Sequence, residues 1–309
     1  MVDDDDVAGR APVAERRALL VVNAKSRSGR DAAESAASLL KDAGITLLRE
    51  DCMDAEALRA TIRRTAPFVD MVVLGGGDGT MNSAAPALME TGLPLGILPL
   101  GTANDLARTL GIPTDLEGAA QVVAAGRTRR IDLGEVNGHP FFNVASIGLS
   151  VDVTRNLTRE VKRRWGVFGY AAATLGALWH MRPFSAELRF DGSAARVRTI
   201  QVAVGNGRHY GGGLTVEQDA TIDDGQLNLY SLEFQRLWRL ALVYPAFRAG
   251  THGMWQEVRT ATCREAEIRT RRPRPVNTDG ELTTSTPARF RVLPAAITVL
   301  APDRDAAAG

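Results

Sequence analysis

The length, composition and charge of the chain are those of an ordinary globular protein. It has 309 residues, of which 45% are hydrophobic and 24% charged, and at about 150 residues per domain two domains are expected. The net charge is +1, without the large positive excess that is typical of nucleic-acid-binding proteins, so no nucleic-acid partner is expected. No apolar run reaches the roughly 18 residues that a membrane-spanning helix needs.

The cysteines, histidines and chain ends give no indication of a disulfide-bonded, zinc-binding or secreted protein. Cys52 and Cys263 lie far apart without metal-type spacing, which favours reduced thiols and a cytoplasmic location. The histidines show no zinc-binding pattern. Residues 1–16 include an acidic run but no apolar signal-peptide core, so they are predicted to be a disordered lead-in, and 304–309 a disordered tail.

Residues 17–130 are predicted to form a Rossmann-like parallel α/β domain. Strands are predicted at 18–22, 45–48, 69–74 and 95–98, and helices at 31–43, 54–66, 83–89, 106–110 and 115–125. Strands that alternate with helices at this spacing are typical of a parallel sheet. Ligands of such sheets bind at the carboxyl ends of the strands, and polar loops follow the first, third and fourth strands there.

Residues 131–303 have a different pattern, which predicts an antiparallel β-sandwich. Short strands are predicted at 131–136, 141–146, 186–190, 195–204, 226–232, 265–270, 289–293 and 297–300. Asn-Gly and Asp-Gly dipeptides, which are typical of hairpin turns, separate several of them. Two helical segments, predicted at 153–181 and 237–250, interrupt the strands.

The glycine-rich stretch Gly75–Asn82 follows the third predicted strand. Its glycines leave the backbone open to a ligand, and the N–H groups of such a turn can hold phosphate. A tight strand-to-helix turn without a ligand explains the glycines equally well. The stretch is not a P-loop, because the lysine of that motif is missing. Asp78 is equally suited to cap a helix and to contact magnesium or water.

A second polar loop, Pro99–Asp105, follows the fourth predicted strand. Thr102 in this loop and Thr80 in the glycine stretch are suitable hydroxyl donors to phosphate. The amides of Asn82 and Asn104, and the neighbouring Asp105, can either contact a nucleoside or orient the loops. A phosphate site at this sheet edge would therefore use backbone N–H groups and hydroxyls.

Two motifs carry a family resemblance: Gly76–Asn82 and, in the next polar loop, Gly101–Arg108 with the sequence Gly-Thr-Ala-Asn-Asp-Leu-Ala-Arg. Together they resemble the diacylglycerol kinase catalytic family, and more narrowly the bacterial lipid kinases of the YegS and DgkB type. Further similar segments follow in the family's order at 23–26, 131–134, 142–144, 205–207, 211–213, 223–225 and 277–281. The resemblance covers nearly the whole chain.

The resemblance implies an ATP- and magnesium-dependent lipid kinase with its active site in the cleft between the two domains. The residues implied to hold ATP are Gly76, Gly77, Asp78, Gly79, Thr80, Met81, Asn82, Thr102 and Asn104. Glu281 would be the general base that takes the proton of the lipid hydroxyl, because a carboxylate within reach makes an alcohol a better nucleophile. The lipid would come from a membrane and be of the diacylglycerol, phosphatidylglycerol or sphingoid type.

Asp279 lies two residues before Glu281, so on a strand the two side chains would share a face. One could then hold metal or water while the other acts as base. An Asp-Gly hairpin turn is the structural alternative. The resemblance also implies a structural magnesium held by the Asp224 side chain and the carbonyls of Thr221 and Gln226, while a catalytic magnesium enters with ATP.

The chain departs from the family pattern in three places, one of which is Arg49 or Glu50, in the region where relatives often offer a threonine to the nucleotide. Ala24 stands where proline is usual, and Ser83 stands where a glutamate commonly follows the asparagine. The change at Ser83 leaves a catalytically silent nucleotide- or lipid-binding regulator as an alternative. An NAD kinase-like or phosphofructokinase-like enzyme shares the glycine turn, but Gly101–Arg108 argues against it.

The basic segment Lys162–Trp165 precedes an apolar stretch. This pattern predicts either transient contact with an anionic membrane surface or a packed helix with a solvated basic end. Peripheral association with a membrane is therefore an expectation, and no oligomeric state follows from the sequence.

Overall fold

The structure is a computed structural model, and it describes residues 16–22, 27–148, 183–206, 209–210, 214–215, 221–233 and 258–303. Its helices are α1 (Arg27–Asp42), α2 (Ala55–Thr65), α3 (Asp78–Thr91), α4 (Asp105–Thr109) and α5 (Leu116–Ala125), with a 3-10 turn at Ala66–Phe68. Its strands are β1 (Arg16–Val22), β2 (Ile45–Arg49), β3 (Met71–Gly76), β4 (Leu95–Pro99), β5 (Thr128–Val136), β6 (His139–Phe141), β7 (Val144–Gly148), β8 (Phe184–Phe190), β9 (Ser193–Thr199), β10 (Gln201–Gly205), β11 (His209–Tyr210), β12 (Leu214–Thr215), β13 (Leu227–Leu232), β14 (Val258–Cys263), β15 (Glu265–Thr270), β16 (Pro275–Thr278), β17 (Glu281–Ser285) and β18 (Ala288–Leu300).

The N-terminal part is a parallel α/β layer structure, as predicted. Strands β2, β1, β3 and β4 pair in that order and are all parallel. Strands β3 and β4 are buried along their whole length, because helices cover both faces of a parallel sheet. Local capping sets the helix ends: the Asp54 carboxylate accepts from two N–H groups at the start of α2, and Gly126 ends α5 in the left-handed conformation.

The C-terminal part contains the predicted antiparallel sandwich. One face is a six-stranded sheet in the order β14-β13-β10-β7-β16-β17, and the other is formed by β5, β18, β15, β8 and β9. Buried side chains from both sheets form one hydrophobic core, among them Ile147, Leu188, Val204, Ile268 and Phe290. Burial of these side chains holds the two sheets together.

The two parts share one sheet. The first half of β18 pairs with β15 and β5 in the sandwich, while its second half continues along β5 and meets β4 in parallel at Val299 and Leu95. An irregularity between Leu293 and Ile297 divides these halves, and Ala295 there has a φ of 48°. Such a bulge re-aims a strand, so β18 joins the parallel strands and the sandwich strands into a ten-stranded mixed sheet.

Several element boundaries differ from the sequence-based prediction. Helix α3 begins at Asp78 rather than Ser83, because Gly77 is its N-cap and residues 78–82 already form the first turn. The predicted strand 141–146 is divided into β6 and β7, since residues 142 and 143 leave the ladder. The predicted strand 195–204 breaks at Ile200, so that β9 and β10 enter different sheets. Strands β11, β12, β14, β16 and β17 were not predicted.

Some predictions concern segments outside the described residues. These are the loop 23–26 with Ala24, the helical segments 153–181 and 237–250, the basic segment Lys162–Trp165, the glycines 211–213, most of the lead-in and the tail. Strand β1 begins at Arg16, the last residue of the predicted lead-in. Within the described ranges, none of the helices combines the length and apolar character needed to cross a bilayer.

Candidate active site

The glycine turn after β3 and the loop after β4 are in backbone contact. A Cβ placed on Gly101 would lie 2.4 Å from the Cα of Gly77, and one placed on Gly77 would lie 3.1 Å from the Cα of Gly101. The N–H of Leu100 also donates to the carbonyl of Gly76 at 3.0 Å. The prediction that these two loops meet at one sheet edge is confirmed, and only glycine permits the close approach.

Asp78 and Asn104 hold the two loops in place. The Asp78 Oδ1 accepts from the N–H of Leu106 at 3.0 Å and so caps α4 from the first turn of α3. Asn104 has a φ of 51°; its Oδ1 accepts from the N–H of Gly101 at 2.9 Å, and its Nδ2 donates to the carbonyls of Pro99 and Gly101. Asp78 therefore bonds to the first turn of α4, and Asn104 bonds within its own loop.

The other residues predicted to bind ATP differ in how far their side chains are exposed to solvent. Met81 is only 2% exposed and packs in the hydrophobic core, so only its backbone is available to a ligand. Thr80 is half-buried and packs over Gly76, since a Cβ on Gly76 would lie within 2.4 Å of its hydroxyl. Thr102 is exposed at the loop surface. Asn82 is buried, and its Oδ1 has no hydrogen-bond partner.

Asp279 and Gly280 form the turn between β16 and β17. Their φ angles are +47° and +96°, as in the primed hairpin turns that favour Asp-Gly. Thr278 pairs directly with Glu281 across the turn. The prediction that Asp279 and Glu281 share one face of a strand is therefore wrong, because the chain reverses direction between them.

The Asp279 carboxylate points inward at three backbone N–H groups. It accepts from Phe142 at 2.7 Å, from Asn143 at 3.1 Å and from Val144 at 2.9 Å. Burial raises the pKa of Asp279 to about 7, and the nearby Asp78 charge acts in the same direction, while the three N–H donors oppose the shift. Asp279 thus anchors the hairpin and does not lie beside Glu281.

Glu281 stands at the hairpin tip with its side chain exposed. Its Oε1 would be 3.2 Å from a Cβ placed on Gly79, in the first turn of α3. The hairpin of the sandwich thereby brings a carboxylate onto the glycine turn of the α/β part. Glu281 therefore lies at the boundary between the two parts, beside the first turn of α3.

Comparisons with known proteins give the family. A model of the diacylglycerol kinase catalytic domain matches residues 17–136, and a model of the YegS C-terminal NAD kinase beta sandwich-like domain matches 143–301. A Yersinia enterocolitica protein named probable lipid kinase YegS-like is 34% identical over 285 residues, which cover 90% of this chain and 95% of that protein. The chain belongs to the diacylglycerol kinase catalytic-domain family.

A second relative supports this family of lipid kinases, which are phosphotransferases that act on a hydroxyl group, and a solved structure supports the fold. A diacylglycerol kinase of Mycobacterium tuberculosis is 34% identical over 283 residues, or 88% of this chain and 90% of that protein. The crystal structure of a diacylglycerol kinase from Bacillus anthracis str. Sterne has the same fold, with a TM-score of 0.79 at 24% identity over 93% of this chain and 97% of that one. The resemblance seen in the sequence is confirmed.

The loop predicted to hold the structural magnesium is ordered around Asp224. Its carboxylate accepts from the N–H of Thr221 at 3.2 Å and of Gln226 at 2.9 Å, so the three predicted residues lie in one tight loop. Asp224 is exposed. Across the described ranges, no three His, Cys, Asp or Glu side chains converge as a metal-binding group. The proposed magnesium ligands are different, because two of the three are backbone carbonyls.

Ser83, the departure from the family pattern, lies inside α3. Its hydroxyl donates to the carbonyl of Gly79 at 2.8 Å, and the Arg59 guanidinium donates to the Ser83 carbonyl at 3.4 Å. The serine thus bonds to the same helical turn that carries Gly79. The first turn of α3 is intact without the glutamate.

Asp132 is a supporting residue to which the sequence assigned no role. It is 3% exposed, and its carboxylate accepts from the N–H of Gly225 at 2.7 Å and of Ala295 at 2.6 Å. It ties the Asp224 loop and the bulge of β18 to β5. The available signal was a charged residue inside the apolar strand segment Ile131–Leu133, since buried charges need partners.

Proposed function

We propose that this protein transfers the γ-phosphate of ATP to the hydroxyl group of a membrane-derived lipid in a Mg²⁺-dependent reaction. The observation that carries the proposal is the placement of the Glu281 carboxylate over Gly79, at the start of α3. A base from one domain and a phosphate-binding turn from the other are what transfer to an alcohol requires. Family membership supports a lipid as the acceptor.

The glycine loops would bind the phosphates of ATP. Gly77 and Gly101 leave backbone without side chains at the sheet edge, and α3 directs its N-terminal N–H groups and its positive dipole end there. The hydroxyls of Thr80 and Thr102 would add donors. Preorganised donors of this kind stabilise the charge that develops on the transferred phosphoryl group.

Glu281 would act as general base. The lipid oxygen attacks the γ-phosphorus while its proton moves to the Glu281 carboxylate, and the bond from the γ-phosphorus to the β,γ-bridging oxygen breaks to release ADP. The exposed position of Glu281 at the cleft suits an acceptor that arrives from outside. Asp279 would support this step by fixing the hairpin.

The Asp224 side chain and the carbonyls of Thr221 and Gln226 would hold a structural Mg²⁺. Oxygen ligands suit this ion, and the three residues already share one loop. An ion bound there would fix the loop that Asp132 ties to β5. The Mg²⁺ that accompanies ATP would neutralise phosphate charge.

The test is phosphate transfer from labelled ATP with Mg²⁺ to diacylglycerol, phosphatidylglycerol, sphingosine, ceramide and NAD. We expect label in at least one lipid, and Glu281→Gln should lower turnover by about 10² to 10⁴-fold while ATP binding persists. Glu90→Gln is the matched control, since Glu90 is an exposed glutamate at the far end of α3, paired with Arg63. Label in NAD alone would contradict the proposal, and ATP binding without any transfer would favour the silent regulator.

A further inference from the structure

The segment Phe142–Val144 is held from two sides. On one side, its three N–H groups donate to the Asp279 carboxylate, and the N–H of Asp279 donates back to the Val144 carbonyl at 3.0 Å. On the other side lies Asn206, which follows β10. Its Nδ2 donates to the Phe142 carbonyl at 2.9 Å, and its backbone N–H donates to the Asn143 carbonyl at 2.8 Å.

The same segment is fixed to the first domain. The Phe142 side chain is 1% exposed and belongs to the hydrophobic core of the α/β part. The second proton of the Asn206 Nδ2 donates to the Asp132 carbonyl on β5, at 2.9 Å. Asn206 thus ties the segment that receives Asp279 to β5, which pairs with both halves of β18.

The two N–H donors of the Asn206 amide fix the orientation of this buried side chain. Asn206 is 1% exposed, and its Oδ1 has no hydrogen-bond partner. A flipped amide would turn that oxygen toward two carbonyl oxygens, so the observed orientation is fixed. An unpaired buried oxygen is destabilising, and the two N–H···O=C bonds offset this cost.

We propose that Asn206 is a positioning residue for phosphate transfer. Its two amide donors fix the segment 142–144, this segment fixes Asp279, and Asp279 sets the hairpin that holds Glu281 over Gly79. The proposal rests on the proposed function, because Glu281 is the group through which Asn206 acts.

The first test is Asn206→Asp, which keeps the shape of the side chain but replaces Nδ2 and its two N–H donors with one oxygen that faces two carbonyls. We expect kcat to fall about 10 to 100-fold, since a displacement of about 1 Å near a reacting group has an effect of this size. The KM for ATP should stay within about twofold, because the glycine loops lie on other strands. If Asn206→Asp does not fold, Asn206→Ala removes both donors without placing an oxygen against the carbonyls, and kcat should again fall about 10-fold or more while the KM for ATP holds.

The control is Gln201→Ala at the opposite end of β10. Gln201 is also buried, and its Nε2 donates to the Tyr230 hydroxyl at 3.2 Å. This variant should lose stability but keep its kcat. If both variants lowered kcat equally at equal stability, Asn206 would have only a structural role.

The second test is a double-mutant cycle with Glu281→Gln. If Asn206 acts through Glu281, Asn206→Asp should lower kcat by less than twofold in the Glu281→Gln background, because the base is already removed. Multiplicative losses would overturn the proposal, as would a Glu281→Gln variant with full activity.

Failure of the proposed function would be seen separately, as a wild-type protein that phosphorylates no lipid in the panel. In that case, amide hydrogen exchange over residues 277–283 decides about Asn206. Faster exchange in Asn206→Asp than in Gln201→Ala is expected, and equal rates would refute the proposal.

Discussion

The contact between Gly77 and Gly101 gives the sharpest prediction about nucleotide binding. In Gly101→Ala, the new Cβ would lie 2.4 Å from the Gly77 Cα and 2.7 Å from the Asn104 Oδ1, whereas ordinary contacts begin at 3.4 Å. The two loops must therefore separate by about 1 Å. A displacement of that size at a substrate-positioning loop is expected to lower kcat/KM for ATP by about 10²-fold. Gly77→Ala meets the same contact at 3.1 Å, so its effect should be smaller.

Steady-state kinetics with varied ATP, together with calorimetric ATP binding, measure this loss. Gly118→Ala is the matched control, because its Cβ would lie 2.7 Å from the Pro113 side chain, in α5 and away from the loops. It should lower the free energy of unfolding by about 1–3 kcal/mol, as expected for overpacking, and leave the KM for ATP unchanged. A Gly101→Ala protein that binds ATP like the wild type would refute the assignment of these loops to the phosphates.

Two further predictions concern the hairpin. Gly79→Ala should raise the free energy of unfolding by up to about 1 kcal/mol, because alanine favours the helix. The same variant should lower kcat several-fold, because its Cβ would lie 3.2 Å from the Glu281 Oε1. An unchanged kcat would contradict the position of Glu281. The pKa of Asp279 is raised from 3.8 to about 7, so its contribution to stability is present below pH 4 and is lost as pH rises toward 7, by up to about 4 kcal/mol. Denaturant unfolding at several pH values should show this decline in the wild type but not in Asp279→Asn, and equal pH dependence in both would contradict the burial of the carboxylate.

The features of the site that the sequence predicted depend on residues that are close together in the chain or on adjacent strands. The approach of Gly77 to Gly101 followed from two adjacent parallel strands, whose carboxyl ends must meet at one edge. The Asp-Gly turns followed from the φ > 0 conformations that these residues tolerate, and Asp279 and Gly280 have them. In each case the residues that decide the geometry are neighbours in the chain or on the next strand.

The parts that sequence missed depend on backbone partners far away in the chain. The spacing of Asp279 and Glu281 allowed a shared strand face as one of two alternatives, but period-two alternation does not continue through a two-residue turn. Its actual partners are three backbone N–H groups. Asp132 and Asn206 likewise bond to backbone groups, which every residue carries and which therefore leave no pattern in the sequence.

The pairing of β5 with β18 explains why the alignment of Glu281 with α3 can be built into the fold before any substrate binds. The register joins residues 128–131 with 297–300 and residues 133–136 with 290–293, across the bulge at Ala295. One half of this ladder lies in the sandwich and the other half meets β4, so the two parts cannot rotate as separate bodies without breaking strand pairs. Glu281 lies on β17 in the six-stranded sheet, so its distance from Gly79 is set by the packing of that sheet on the ten-stranded one and by the hydrogen bonds of Asp279. Since transfer of a phosphoryl group depends mainly on positioning and electrostatics, the shared sheet, the sandwich packed on it and the Asp279 anchor together contribute the positioning that the proposed reaction needs.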